Sequence, residues 1–188
     1  SCLLTVWYDL TDQKQAEEEI RRLSEALKRR EREKEGKYLT FTLENEEYGI
    51  SILKIREIIG MMPVTSVPRT PDFIKGVINL RRGAVPVIDL AGKFGMEPQP
   101  ITKRTCIIIT ELTQQDGNQA VMGCLVDKVQ QVRDIPEECI EGAPKLGDKI
   151  DTRYIRNMAK IDERFMIILD IDKVLSFEEL EMVQSIQT

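Results

Sequence analysis

Apolar and polar positions follow two different periods along this chain, and the change falls between Lys34 and Tyr38. In the first zone Ala16, Ile20, Leu23 and Leu27 recur at spacings of four, three and four within a highly charged stretch. This pattern predicts a helix over 12–36 carrying a coiled-coil seam about two heptads long. Arg30 and Lys34 occupy the next seam positions and end it, and Gly36 closes the segment. Thr11 or Asp12 offers an N-cap, and Glu17, Glu18 and Glu19 precede the basic residues, as the helix dipole favours. A solvated linker and a weak homodimer through the helix both fit such a seam. Ahead of it, Cys2 to Leu10 (CLLTVWYDL) is an apolar run that reads as a buried strand.

Beyond Lys37 the period is two. Leu39, Phe41 and Leu43 alternate with Tyr38, Thr40 and Thr42, the mark of a strand. Asn45, Glu46 and Glu47 form a turn, and Tyr48-Gly49-Ile50 begins the return. Ile52, Ile55 and Ile59 are spaced to line a short helical turn, after which Pro63, Pro68 and Pro71 interrupt regular structure. Lys75 to Leu90 (KGVINLRRGAVPVIDL) then reads as a hairpin. Gly76 opens its first strand, Arg81-Arg82-Gly83 makes the turn, and Asp89 closes the second strand. Gly83 rather than Arg82 is expected to take the positive φ of that turn.

The β-branched run Cys106 to Ile109 predicts a strand buried on both faces. Asp116-Gly117-Asn118 is a turn into a return strand over Ala120–Val126, and Val129–Val132 continues the pattern. Asp134 to Asp151 is irregular, and Arg164–Leu169 is the last strand. Asp170 or Asp172 is placed to cap a closing helix carrying Val174, Leu175, Leu180 and Val183. Many short strands and one terminal helix indicate a mainly β protein built of small closed or nearly closed barrels. Pro86 inside a strand agrees, because proline suits barrel corners better than central ladders. Asp170-x-Asp172 lacks the glycine of an EF-hand loop, so capping is its reading.

Composition narrows the chemistry. The chain has no histidine, which removes Ser-His-Asp and Cys-His nucleophiles and His-liganded metals. Its four cysteines, Cys2, Cys106, Cys124 and Cys139, form no C-x-x-C pair, so neither zinc nor any other metal is expected. The same usage suggests a reducing compartment. With 27 Lys and Arg against 32 Asp and Glu, dispersed among one another, nucleic-acid binding is disfavoured. There is no long apolar run and no visible signal peptide, and a soluble cytoplasmic protein is expected. Carboxylates such as Glu57 or Asp89 could serve a small enzyme, but no paired acids accompany them. The hairpin turn offers guanidinium groups suited to bridging carboxylates, which points to binding.

The segments FTLENEEYGISILKIREIIG (41–60), TPDFIKGVINLR (70–81) and VPVIDL (85–90) resemble the CheW family of bacterial chemotaxis. Gly123 to Val129 and FMIILDIDKVL (165–175) match it more loosely. The resemblance spans Tyr38 to about Leu180, so the domains read as 1–11, 12–36, 37–180 and a tail, 181–188. It implies two five-stranded SH3-like barrels packed around a shared core. It also implies a non-enzymatic adaptor, without cofactor, that links methyl-accepting receptors to the histidine kinase CheA. The alternative is a CheW-like regulatory domain of a larger signalling protein, of PAS-fusion, CheV or CheA type. The N-terminal residues 2–17 resemble the last strand of a PAS domain running into its signalling helix.

The resemblance places Ile55, Glu57, Arg81, Cys106, Val129 and Val132 in the receptor-facing groove between the barrels. Plain packing competes for each, most strongly for Cys106 and Val129. A turn-borne Arg81 rarely has a core role, so there a binding role is favoured. Two positions depart from the family pattern. Arg82 stands where glycine usually follows the motif arginine, and Ala91 stands where an arginine commonly follows the Asp-Leu pair.

Overall fold

One helix, α1 (Cys2–Lys34), makes up nearly all of the first of two units, residues 1–35; the second runs from 36 to 188. The structure is a computed structural model that describes residues 2–81, 83–142 and 152–187. The strand expected over Cys2–Leu10 is therefore helical. A lone extended segment leaves its backbone N–H and C=O groups without ladder partners, whereas a helix satisfies them internally. The seam residues Ile20, Leu23 and Leu27 are 61–67% exposed.

The second unit is mainly β. Its strands are β1 (Lys37–Leu43), β2 (Glu46–Ser51), β3 (Ile55–Gly60), β4 (Ile74–Leu80), β5 (Gly83–Asp89), β6 (Cys106–Thr113), β7 (Gln119–Val126), β8 (Lys128–Asp134), β9 (Ile140–Glu141), β10 (Ile155–Ile161) and β11 (Arg164–Leu169). Two short helices join them, α2 (Leu90–Lys93) and the terminal α3 (Phe177–Gln187). One sheet runs β8-β1-β2-β11-β10-β9 and the other β3-β6-β7-β5-β4. These are the two SH3-like barrels. The second has the expected five strands, and the first adds the two-residue β9. The chain crosses between them twice, through the one-turn 3-10 helix Ile52–Lys54 and through Asp127.

The packing follows from strand alternation. Leu39, Phe41, Leu43, Tyr48 and Ile50 of the first barrel join Ile74, Ile88, Ile108, Cys124 and Val126 of the second in one shared core. Ile107 and Ile109 face the other way, into a separate core with Ile78, Val85, Val87 and Leu125. Strand β6 is thus buried on both faces, as its sequence predicts. Phe41, Tyr48, Phe94 and Tyr154 form an aromatic row through the shared core, with successive centroids 5.9, 6.3 and 5.6 Å apart.

Several local expectations shift. Ile55 and Ile59 lie in β3 rather than in a helical turn, because β6 supplies β3 with a ladder partner. The β1–β2 turn is centred on Glu44 and Asn45, at φ 50° and 67°, one residue earlier than expected. Two central residues with positive φ match the right-handed twist of a hairpin. Neither Asp170 nor Asp172 caps α3. Ser176 does, its Oγ accepting from the Glu179 N–H while Glu179 Oε2 accepts from the Ser176 N–H. That reciprocal pair is a capping box, and it lay in the sequence as Ser176-x-x-Glu179. In the β4–β5 hairpin Gly83 has φ 157°, and Arg82 lies outside the described residues. Part of the irregular segment, 143–151, lies outside them as well.

Candidate protein-binding groove

Strand register decides which of the expected site residues share a surface. On β8, Val129 pairs with Phe41 and Val132 with Leu39. Directly opposed residues share a face of the sheet, so both valines lie on the side of the shared core. Val129 is half-buried against that core, whereas Val132 is 53% exposed. β8 is an edge strand, so these side chains sit at the rim of the first barrel.

The second barrel supplies the other rim. Cys106 opens β6 between Gly60 and Val126 and packs, half-buried, against the shared core; its Sγ lies 3.1 Å from the Arg104 carbonyl oxygen. Ile55 packs against the same core from β3. A bulge between Ile55 and Glu57 then reverses the alternation. Glu57 consequently lies opposite Ile109, on the face of the second core, and Ile58 lies opposite Ile108, on the shared-core side. Ile58 is 44% exposed and was not among the expected site residues. Its signal was hidden, because only the bulge turns it to the shared-core side.

The structure thus gathers Ile55, Cys106, Val129 and Val132 on the faces that enclose the shared core, and adds Ile58. Glu57 and Arg81 stand apart from them. Arg81 is exposed at the β4–β5 turn and makes no ion pair with any described residue. Val87 pairs in parallel with Gly123, so the Arg81 turn lies at the Gln119 end of the sheet, with Cys106 at the Val126 end. Ala91 is buried in the shared core, where an arginine would have no room to remain solvated.

Burial pushes the Cys124 thiol up to about 12, against a weaker lowering by the Thr110 hydroxyl 3.8 Å away. Burial, with the Glu46 and Glu44 carboxylates, also pushes the Tyr48 phenol upward. Among the described residues no three His, Cys, Asp or Glu converge as metal ligands would, and no helix is long and apolar enough to cross a membrane. A cleft of about 920 Å³ lies between α3 and the β6–β7 turn. On its wall Lys93 Nζ is 2.6 Å from Glu179 Oε1 and lies over the Phe73 ring at 4.6 Å.

Two barrels sharing one core, with Ile58 and Val132 exposed at its margins and an exposed arginine on the turn at the far end of the second barrel, define a twin-barrel scaffold domain. The chain belongs to the CheW-like domain family, whose model matches residues 37–179. It is 42% identical to the chemotaxis protein CheW of Klebsiella aerogenes over 149 residues, 79% of this chain and 87% of that one. It is 32% identical to a probable chemotaxis protein CheW of Rhizobium etli over 143 residues, 76% of this chain and 89% of the relative. In structure it is similar to the CheW scaffolding protein of Thermoanaerobacter tengcongensis, with a TM-score of 0.68 and 35% identity over 77% of this chain and 94% of that one.

Proposed function

We propose that this chain is a non-enzymatic scaffold of chemotaxis signalling that holds a receptor tip and a CheA-type histidine kinase at separate surfaces. The observation that supports this reading is that the exposed apolar residues and the exposed Arg81 lie apart from one another. The exposed apolar side chains Ile58 and Val132, on the sides of their strands that face the shared core, suit the side of a receptor helix. The exposed Arg81 turn, at the other end of the second barrel, suits a carboxylate on the regulatory domain of the kinase. A scaffold needs two such surfaces because partners competing for one surface cannot be held together. The protein would then act in the cytoplasm, at receptor arrays, without entering the membrane. A second copy of the chain, bound weakly through the seam of α1, would be a third partner.

The test is to titrate receptor signalling tips and the kinase regulatory domain separately. Val132→Asp should weaken the receptor tip at least tenfold and leave the kinase domain bound, since it places a charge in an apolar contact. Arg81→Ala should do the reverse, with the melting temperature of both variants near that of the parent. If both substitutions weaken one partner alone, the two-surface reading is wrong. An Arg81→Ala variant that melts early but binds normally once folded would make Arg81 a structural brace.

A further inference from the structure

We infer that one end of the first barrel is a binding site for a small phosphorylated metabolite, a phosphate joined to a sugar or other polyol. The bulge in β8 builds it. The register with β1 skips Gln130, so Lys128 pairs with Thr42, Gln131 with Thr40 and Arg133 with Tyr38. Alternate residues of β1 share a face, and Tyr38 faces the first barrel's own core with Ala159, Met166 and Ile168. Lys128, Gln131 and Arg133 therefore share that side of β8. Glu47 joins them, because it too pairs with Thr42. The β10–β11 turn completes the wall with Asp162 and Arg164, and Ile161 ties it to the core beneath.

The cavity so formed holds about 480 Å³, within the range of small-molecule sites. The fold leaves its cations uncompensated. Lys128 and Arg133 are half-buried and Arg164 is exposed, yet among the described residues none of the three forms an ion pair. With its amide oxygen turned towards Arg133, Gln131 accepts from Nε at 2.8 Å and from Nη2 at 3.0 Å. That contact directs the guanidinium without neutralising it. A half-buried charge loses hydration, and without a counter-charge nothing offsets the loss. A phosphoryl group supplies the missing charge, taking bonds from two guanidinium groups and one ammonium. Glu47 and Asp162 form no ion pair among the described residues either, so their carboxylates are free to accept from hydroxyl groups. Three cations and two acceptors around one cavity match a phosphate and the polyol attached to it. An acidic protein segment fits less well. Val129 and Ile161 are the only apolar residues on this wall, whereas protein contacts centre on buried apolar and aromatic anchors.

The experiment titrates the full chain with ribose 5-phosphate, inorganic phosphate, ribose and hexaglutamate, read by calorimetry and by backbone amide shifts. Ribose 5-phosphate should bind at least tenfold more tightly than inorganic phosphate, and ribose should not bind. Its amide shifts should fall within 128–133 and 161–164. Arg133→Gln and, separately, Arg164→Gln should each weaken it at least tenfold, with melting temperatures near that of the parent. Arg164 is exposed, so its variant tests the site even where Arg133→Gln disturbs the strand. Absence of binding, or affinity unchanged by Arg164→Gln, would overturn the site. Equal affinity for ribose 5-phosphate and inorganic phosphate would overturn the role of the polyol. Hexaglutamate bound in place of ribose 5-phosphate would make this end of the barrel a contact for an acidic protein segment and overturn the metabolite.

Discussion

At Gly76 the backbone of β4 passes so close to Thr65 that a Cβ would stand 2.0 Å from the Thr65 carbonyl oxygen. The Val77 N–H donates to that same oxygen at 2.9 Å, so the close approach is part of the pairing between these segments. Gly76→Ala must therefore move backbone, and it should cost about 3 kcal/mol or more by urea unfolding. Cys124 predicts a pH effect. Its thiol is held protonated, so its contribution to stability is complete below its ordinary value of 9.0 and is lost as pH rises towards about 12. The buried Tyr48 acts in the same direction. Unfolding free energies measured at about pH 7 and 10.5 should fall towards the alkaline end, and fall less in Cys124→Ala. A variant with an unchanged alkaline slope would remove Cys124 as a cause. The side on which a residue falls was hard to read from alternation alone: Val129 and Val132, three residues apart, share a side because the register with β1 skips Gln130. Ile58 and Glu57 exchanged sides because one bulge residue resets the period, and a bulge leaves no residue type as a marker.

Strands were the easier elements to read, because β-branched runs bounded by Gly and Pro carry their own period. Ile55–Gly60 was misread because its isoleucines are also spaced for a helix, and only the neighbouring β6 decides. Cys2–Leu10 was misread for the converse reason: an apolar run fits helix as well as strand, and among the described residues no strand pairs with it. At the C-terminus the signal was present but passed over in favour of nearby aspartates. Ser176 and Glu179 fix the start of α3, and Glu179 also pairs with Lys93, whose side chain is only 9% exposed. Ser176→Ala should lower stability by about 1 kcal/mol, as lost caps do. Glu179→Ala should cost more, since it removes the cap's other half and leaves a largely buried ammonium unpaired. Thermal melts of the two variants check the order; an equal or smaller loss for Glu179→Ala would show that the Lys93 pair contributes little.

For the whole molecule, the two crossings between barrels are each secured by an aspartate. Asp172 pairs with Lys54 Nζ at 2.8 Å and accepts from the Thr113 N–H at 2.9 Å, tying the first crossing to β6. Asp127, at the second, accepts from the Glu44 N–H in the β1–β2 turn at 2.9 Å. Asp172→Ala should cost about 1 kcal/mol, the scale of a partly exposed pair with one backbone hydrogen bond. Removing residues 1–35 should leave a chain with a β-dominated circular dichroism spectrum and a similar melting temperature, because the barrels form a unit of their own. A helix-dominated spectrum would contradict the fold. The double crossing also sets an order of assembly on the ribosome. Strands β3 to β7 emerge as one uninterrupted run and can close the second barrel as soon as Val126 is out. Strands β1 and β2 emerge earlier but finish later, since their partners β8 and β11 are not made until Lys128 to Leu169. The first barrel is begun first and completed last, and until then Leu39, Phe41 and Ile50 have only half of their enclosure. The nascent chain is therefore most in need of shelter during the synthesis of its second half.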